Sequence, residues 1–154
     1  MICQIHGGIQ GSNTLILTEN GELYTISNNV NMSGNNRKTK DFEKLTIKEG
    51  TTVTNIETAA GLSIAVLSNG EIYGWGYNTY GILGDGYEIG AIYNTPVKMN
   101  LPNNIKSVTL GDGFAIFVSK SGEVYGIGRN DYGQLGTGNN EGTSTFVRCP
   151  ELEK

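Results

Sequence analysis

The chain has 154 residues with 23 glycines, and its 11 Lys and Arg residues against 15 Asp and Glu residues give a formal net charge of −4. This length suits one domain, and the basic residues do not gather on one face, which argues against a nucleic-acid or anionic-membrane partner. The N-terminus lacks the features of a signal peptide and no apolar stretch has the roughly 18 residues of a membrane span, so we expect a cytoplasmic protein.

The first predicted elements form a unit of four strands. The apolar pair Ile2 and Ile5 predicts an inner strand, and the apolar run 14–17, followed by Asn20-Gly21, predicts a hairpin whose second strand begins at Gly21. Short β-branched runs favour strands, and Asn-Gly supplies the positive φ of a tight hairpin turn. A fourth strand is expected near 42–47. Residues 38–49 are the one stretch with a competing helical interpretation, which Gly50 would end.

The same elements recur twice along the chain. Gly21, Gly70 and Gly122 each begin a Gly-Glu-x-Tyr segment, at intervals of 49 and 52 residues. In both later units an apolar pair precedes the hairpin and a fourth strand is expected after it. The apolar pairs are Val53 with Ile56 and Ile105 with Val108, the runs are 63–66 and 115–118, and the fourth strands are expected near 95–99 and 145–148.

A fixed period of about fifty residues is typical of a repeat architecture, in which each unit buries its apolar face against its neighbours. Four-stranded units in series predict an all-β fold of β-propeller blades. We therefore expect one repeat domain, 1–154, with three four-stranded blades per chain forming a partial propeller. Blade 1 covers about 2–50 and is degenerate, blade 2 covers about 53–100, and blade 3 covers about 105–150.

The segments 70–86 and 122–138 agree at 11 of 17 positions, mostly glycine and tyrosine. The glycines that alternate with larger residues leave one strand face bare, so that another backbone can approach. The tyrosines and leucines of the following loop are expected to plug it. Because these residues recur in equivalent places, we interpret them as maintaining the blade rather than binding a ligand. They are Gly74, Gly76, Gly126 and Gly128 in the strands, and Tyr80, Leu83, Tyr132 and Leu135 in the loops.

The pattern G-x-V/I-Y-G-x-G-x-N-x-Y-G-x-L-G-x-G resembles the repeat of the regulator of chromosome condensation family. The match is close in units two and three, whereas in unit one 24–27 lacks the glycines and 28–36 lacks Tyr-Gly-x-Leu-Gly. The histidine that many family repeats carry before the hairpin run is replaced by Asn13, Leu62 and Phe114.

The resemblance implies a propeller, usually of seven blades, that serves as an interaction platform. The founding member of the family is an exchange factor for the Ran GTPase and binds nucleosomes, and a bacterial relative inhibits β-lactamase. These activities lie in loops that differ between members. The resemblance therefore predicts the fold better than it predicts the function. No exchange-factor site can be assigned in this sequence.

The number of blades poses a physical problem. Propellers close with typically four to eight blades, and an open array of three would leave two end faces bare. We therefore hypothesise a homodimer in which the last blade of each chain packs on the first blade of the other and closes a six-bladed ring. The sequence starts at a predicted inner strand and stops after a predicted outer strand, which favours a chain made of whole blades over a random truncation. The alternative is a fragment or split half, completed by a complementary propeller chain, that regulates a partner enzyme or GTPase as an inhibitor or exchange factor.

The sequence contains no convincing catalytic or metal-binding set. His6 is the only histidine, and the two cysteines, Cys3 and Cys149, stand at opposite ends and are expected to be free thiols. These residues do not suffice for a zinc site or a nucleophile with its base. No paired carboxylates indicate a hydrolytic or glycan-binding propeller. We therefore predict a non-catalytic protein without catalytic residues, metal or cofactor.

Residues that the blade pattern does not require are the candidates for contacting a protein partner. Unit two inserts 87–93, a run in which Tyr87, Ile89 and Tyr93 stand out, and aromatic residues on propeller loops make good anchors. The other interpretation, that this run covers the edge of its own blade, is equally supported. Tyr77 and its counterpart Arg129 are further candidates. The sequence does not identify the partner.

Overall fold

The computed structural model describes residues 1–8, 13–101 and 104–150, and these residues contain twelve β-strands and no α-helix. Within the same ranges, no helix has the length and apolar character needed to cross a membrane. The strands are β1 (Ile2–Gly7), β2 (Asn13–Thr18), β3 (Leu23–Ser27), β4 (Glu43–Lys44), β5 (Val53–Ala59), β6 (Leu62–Leu67), β7 (Ile72–Tyr77), β8 (Ile92–Lys98), β9 (Ile105–Leu110), β10 (Phe114–Ser119), β11 (Val124–Gly128) and β12 (Thr143–Arg148).

The strands form three four-stranded antiparallel sheets, each in simple chain order: β1 to β4, β5 to β8 and β9 to β12. We call these sheets blades 1, 2 and 3. The predicted all-β fold of four-stranded propeller blades is confirmed. The helical alternative for 38–49 is not adopted, since that stretch contains β4.

Blade 1 differs from the others in its outer strand. β4 has only two residues, whereas β8 has seven and β12 has six. Beyond β4 the pairing continues through Thr39, whose backbone N–H donates to the Ser27 carbonyl at 2.8 Å and whose hydroxyl accepts from the Ser27 N–H at 2.9 Å. These two hydrogen bonds satisfy the backbone N–H and C=O groups of Ser27 at the edge of β3, where regular strand pairing has ended.

Each blade has two distinct sheet surfaces. The forward face is turned toward the following blade and carries the side chains equivalent to Leu15; the rear face is turned toward the preceding blade and carries those equivalent to Ile16. In β6 every residue is buried, whereas in β2 and β10 buried and half-buried residues alternate. Blade 2 is therefore covered on both faces, and blades 1 and 3 are each covered on one.

The buried apolar residues lie between successive blades. The first cluster joins the forward face of blade 1, with Leu15 and Leu17, to the rear face of blade 2, with Ile56 and Trp75. The second cluster joins the forward face of blade 2 to the rear face of blade 3 and centres on Phe117. Because the core is made at these joints, a single blade has no core of its own. The second cluster includes Leu62, Ile64, Val66, Ile72, Leu83, Met99, Val108, Ala115 and Ile127.

The glycines in the strands are required for two different structural reasons. Gly76 and Gly128 have φ of +110° and +106°, and a methyl group on either would clash with the backbone carbonyl of the turn beside it. This is the predicted close approach of another backbone. At Gly74 and Gly126, in contrast, the bare strand face receives a leucine side chain from the following loop, Leu83 or Leu135. Both leucines are fully buried, as the loop-plug prediction requires.

Replacing Gly74 with alanine should destabilise the protein by about 1–3 kcal/mol, because the new methyl group would clash with Leu83, which is held in the core between blades 2 and 3. Gly126→Ala is the matched control: its methyl group would lie 3.2 Å from Leu135, and alanine also costs less strand entropy than glycine. Urea unfolding of both variants measures the difference. Equal losses would contradict this account of Gly74.

Candidate functional site

The rear face of blade 1 exposes apolar residues at positions that are buried in the other blades. Ile5 is 62 % exposed, whereas its equivalents Ile56 and Val108 are 0 % and 3 % exposed. Ile2 is 50 % exposed, against 7 % for its equivalent Val53. The same face carries the half-buried residues Ile16, Tyr24 and Ile26.

The forward face of blade 3 is the second uncovered surface. Phe114, Ile116 and Val118 are half-buried, whereas the equivalent residues of blade 2, 62, 64 and 66, are all buried. Leu135 and Cys149 fill the space beside Gly126 on this face. The two uncovered surfaces are of opposite kinds, one forward and one rear.

A backbone hydrogen bond repeats at both joints between blades. The Val53 N–H donates to the Gly21 carbonyl at 2.9 Å, and the Ile105 N–H donates to the Gly70 carbonyl at 3.3 Å. A methyl group on Gly70 would lie 2.6 Å from the backbone of Asn104 in the following blade. At Gly122, the equivalent position of blade 3, such a methyl group would meet nothing within 4 Å.

A second recurring bond links the inner strands. The Ile56 N–H donates to the Gln4 Oε1 of blade 1 at 3.2 Å, and the Val108 N–H donates to the Asn55 Oδ1 of blade 2 at 3.1 Å. Each accepting side chain therefore belongs to one blade and each donor to the next. The equivalent acceptor position in blade 3 is Ser107.

The loop tyrosines do not plug their own loops, and that prediction is wrong. Tyr80 is 39 % exposed and Tyr132 is 87 % exposed. The Tyr80 ring reaches across to the following blade, where it lies against Gly113 and 5.6 Å from the guanidinium of Arg129. The leucine alone fills the loop, so the tyrosine is free to contact the next blade.

Tyr77, a predicted partner-contacting residue, occupies the corresponding position at the joint between blades 1 and 2. Its hydroxyl accepts hydrogen bonds from the side chains of Asn29 at 3.3 Å and Asn31 at 3.1 Å. These bonds lower the pKa of Tyr77, that of Asn31 having the larger effect. Asn31 is the blade 1 equivalent of Tyr80, so one loop position contacts the following blade at both joints.

Arg129 and Ile89 are brought together at a shallow cleft of about 320 Å³ between blades 2 and 3. The guanidinium of Arg129 pairs with Asp131 at 3.0 Å and with Asp112 at 3.3 Å. Ile89 is 57 % exposed at the rim. Charge on the arginine is thus balanced within the chain, and the cleft offers an aromatic and an aliphatic surface. Its lining is Tyr80, Ile89, Gly128, Arg129, Asp131, Gly142, Thr143 and Ser144.

Tyr87 and Tyr93 lie on blade 2, away from the lining of that cleft. Their rings meet edge to face with centroids 5.3 Å apart, and both pack against the core cluster between blades 2 and 3. The Tyr87 hydroxyl donates to the Lys98 carbonyl, and the Tyr93 hydroxyl accepts from the Glu88 N–H at 3.0 Å. Burial raises the pKa of Tyr87. Both residues support their own blade, and contact with a partner stays a prediction.

The groups that could support chemistry are dispersed. Among the described residues, no three His, Cys, Asp or Glu side chains come together as a metal site. His6 Nδ1 lies 3.4 Å from a carboxylate oxygen of Glu57 in the inner strands of blades 1 and 2. Cys3 is exposed and Cys149 is buried.

One ion pair recurs in every blade and joins the residue before the third strand to the outer strand. In blade 2, Glu71 lies 3.3 Å from Lys98, and it also lies 2.9 Å from Lys48, which comes from the connection after blade 1. Hydrogen bonding to Lys48, opposed by desolvation, lowers the pKa of Glu71 to about 2. The equivalents in the other blades are Glu22 with Lys44 and Glu123 with Arg148.

Comparison with known proteins identifies the family. A model of the "Regulator of chromosome condensation (RCC1) repeat" matches residues 69–118 and 121–152, more than half of the chain. This chain belongs to the regulator of chromosome condensation repeat family. A second model with the same description matches residues 105–134.

Relatives with this repeat include proteins of varied description. The chain is 32% identical over 99 residues to the ultraviolet-B receptor UVR8 of Arabidopsis thaliana, covering 64% of this chain and 22% of the receptor. It is 30% identical over 145 residues to the protein RCC2 homolog of Danio rerio, covering 92% and 29%. It is 29% identical over 157 residues to the E3 ubiquitin-protein ligase HERC2 of Homo sapiens, covering 98% and 3%.

Solved structures agree with the propeller fold. Human WBSCR16 superimposes with a TM-score of 0.79 at 22% identity, and Prp20p of Saccharomyces cerevisiae, a protein described with binding properties to Gsp1p and histones, with 0.76 at 18%. The match covers 96% of this chain but 37% and 38% of those chains. The chain therefore spans well under half of these relatives and carries three blades of such a propeller.

The ion pair at Glu71 makes a pH prediction. Because its pKa lies near 2, below the unfolded value of about 4.3, the stabilisation is present above about pH 4.3 and is lost as the pH falls toward 2. Lys48→Met should raise the Glu71 pKa toward its unfolded value, and Lys98→Met, the matched control, should raise it less. Carboxyl-carbon NMR titration measures both. A larger rise in the Lys98 variant would contradict the assignment.

Proposed function

We propose that this chain is a non-catalytic module for protein interaction and assembly, whose two end faces each bind a further propeller blade. The observation that most directly supports this proposal is that Ile5 is 62 % exposed, whereas its equivalents Ile56 and Val108 are buried. The same side-chain position is a core position wherever a preceding blade exists. A contiguous exposed apolar patch is typical of a protein interaction site.

The partner that we propose is a second copy of the chain, closing a six-bladed ring as a homodimer. The forward face of blade 3 and the rear face of blade 1 are the two halves of a joint that is complete between blades 1 and 2 and between blades 2 and 3. Two copies supply two such joints about a two-fold axis along the central channel. Six blades fall within the usual range for closed propellers, typically four to eight.

A second candidate is completion by a different chain with complementary blades. It is favoured by the small share, 37% and 38%, of the two solved propellers that this chain covers. In that arrangement the completed propeller would regulate a partner enzyme or GTPase, as an inhibitor or exchange factor. The loop residues Tyr77, Tyr87, Ile89, Tyr93 and Arg129 would then be candidates for the regulatory surface, with Ile89 the most exposed.

The homodimer is tested by the solution mass of the isolated chain. We expect light scattering at micromolar concentration to give twice the mass of the chain, 16.5 kDa. A well-dispersed monomer at that concentration would exclude the homodimer. A stable complex formed only on adding a second propeller chain would support the alternative.

The equivalence of Ile5 and Ile56 offers an independent energetic test. If a second copy covers the rear face of blade 1, Ile5→Ala should cost about 2–5 kcal/mol, as much as Ile56→Ala, because both would empty a buried site. If that face stays in water, Ile5→Ala should change stability by no more than about 0.5 kcal/mol. Chemical unfolding of both variants at one protein concentration separates these outcomes.

A further inference from the structure

We propose that the two copies join in the same register as neighbouring blades of one chain, with Tyr132 of one copy packed against Asn28 of the second copy and Phe42 of the second copy packed over Gly136 of the first. This inference rests on the proposed homodimer and names the residues that make its joint. The Tyr132 contact repeats a loop position that contacts the following blade at both joints of this chain, and the Phe42 contact repeats the one that Phe146 makes with Gly84 between blades 2 and 3.

Tyr132 is the anchor on the forward side. Its equivalent in blade 2, Tyr80, lies against Gly113 and Arg129 of the following blade. Arg129 directly follows β11, and the residue that directly follows β3 in blade 1 is Asn28, which is exposed. The 87 % exposure of Tyr132 is therefore the expected state of this side chain when the following blade is absent.

Phe42 is the anchor on the rear side. It lies two residues before Lys44, which pairs with Tyr24, as Phe146 lies two residues before Arg148, which pairs with Tyr125.

Phe146 packs against a glycine of the preceding blade, and among the described residues of one copy Phe42 has no such contact. The Phe146 ring meets Phe117 edge to face at 5.7 Å, and an ideal Cβ on Gly84 of the preceding blade would lie 2.5 Å from the ring. Phe42 is 46 % exposed. The blade 3 counterpart of Gly84 is Gly136, with φ of +66°, so the first copy offers a glycine at the same position to Phe42 of the second.

Two hydrogen bonds would fix the register along the inner strands. Gly122 corresponds to Gly21 and Gly70, whose carbonyls accept from the first residue of the following inner strand, so its carbonyl would accept from the Ile2 N–H of the second copy. The space beside Gly122 is open, as this requires. Ser107 corresponds to Gln4 and Asn55, so its hydroxyl would accept from the Ile5 N–H.

Photo-crosslinking tests the register directly. With p-benzoylphenylalanine in place of Tyr132, irradiation of the full chain should give a product of twice the mass, joined to the peptide that contains Asn28. The same replacement at Tyr80 is the matched control and should link within the chain, near Gly113 and Arg129, without a change in mass. The replacement at Phe42 should link to the 133–136 loop of the other copy.

The outcomes separate the register from the homodimer itself. A chain that is dimeric by mass but links Tyr132 to another surface, such as the Tyr132 of the second copy, would overturn the register and leave the homodimer intact. A dimeric chain that gives no intermolecular product from either position would also overturn it. A monomeric mass would overturn both proposals.

Substitution of the anchors gives a second readout that does not depend on crosslinking. Tyr132→Asp and Phe42→Asp should each raise the dimer dissociation constant by at least about tenfold, because each removes an aromatic anchor. Within one copy Tyr132 is 87 % exposed and Phe42 is 46 % exposed, so the circular dichroism spectrum should keep its β-sheet form. Tyr132→Phe keeps the ring and should retain the wild-type constant. Unchanged dimerisation in both aspartate variants would contradict the proposed joint.

Discussion

The structure depends on one constraint: the apolar face of a four-stranded sheet is buried only by the sheet of the next blade. Both core clusters lie at joints, with Trp75 in one and Phe117 in the other. The free energy that holds the fold together is therefore gained between units rather than within them. The fold and the question of partners are therefore linked, because a face of a blade is buried only where another blade covers it.

The joints also explain most of the residues that repeat along the chain. The hairpin glycine, the inner-strand acceptor and the loop tyrosine each contact the following blade, at Gly70, Asn55 and Tyr80 in blade 2. The same three positions in blade 3 face no following blade in this chain. A repeated sequence here encodes repeated contact surfaces, and within the described residues the copies in blade 3 contact no following blade.

The sequence predicted the strands, the hairpins and the buried loop leucines, because short β-branched runs, Asn-Gly turns and alternating glycines act locally. It failed for Tyr80, since the direction of this loop side chain depends on a blade more than thirty residues away, and for Tyr132, the exposed equivalent of Tyr80. The exposed positions Ile5 and Phe42 were also missed as site residues. Comparison with the equivalent residues Ile56 and Phe146 could have identified them. The equivalence of Phe42 and Phe146, however, is recognised only once the strand pairing is known.

The complete burial of β6 bears on how this molecule comes apart. A blade with a core on both sides cannot open without dismantling the two joints it shares, whereas a terminal blade can peel away after losing one. Opening should therefore proceed inward from the ends, as in a linear chain of coupled units. Residues from Leu62 to Leu67 would therefore be the last to unfold. Closure of the ring would remove the terminal blades at which unfolding begins.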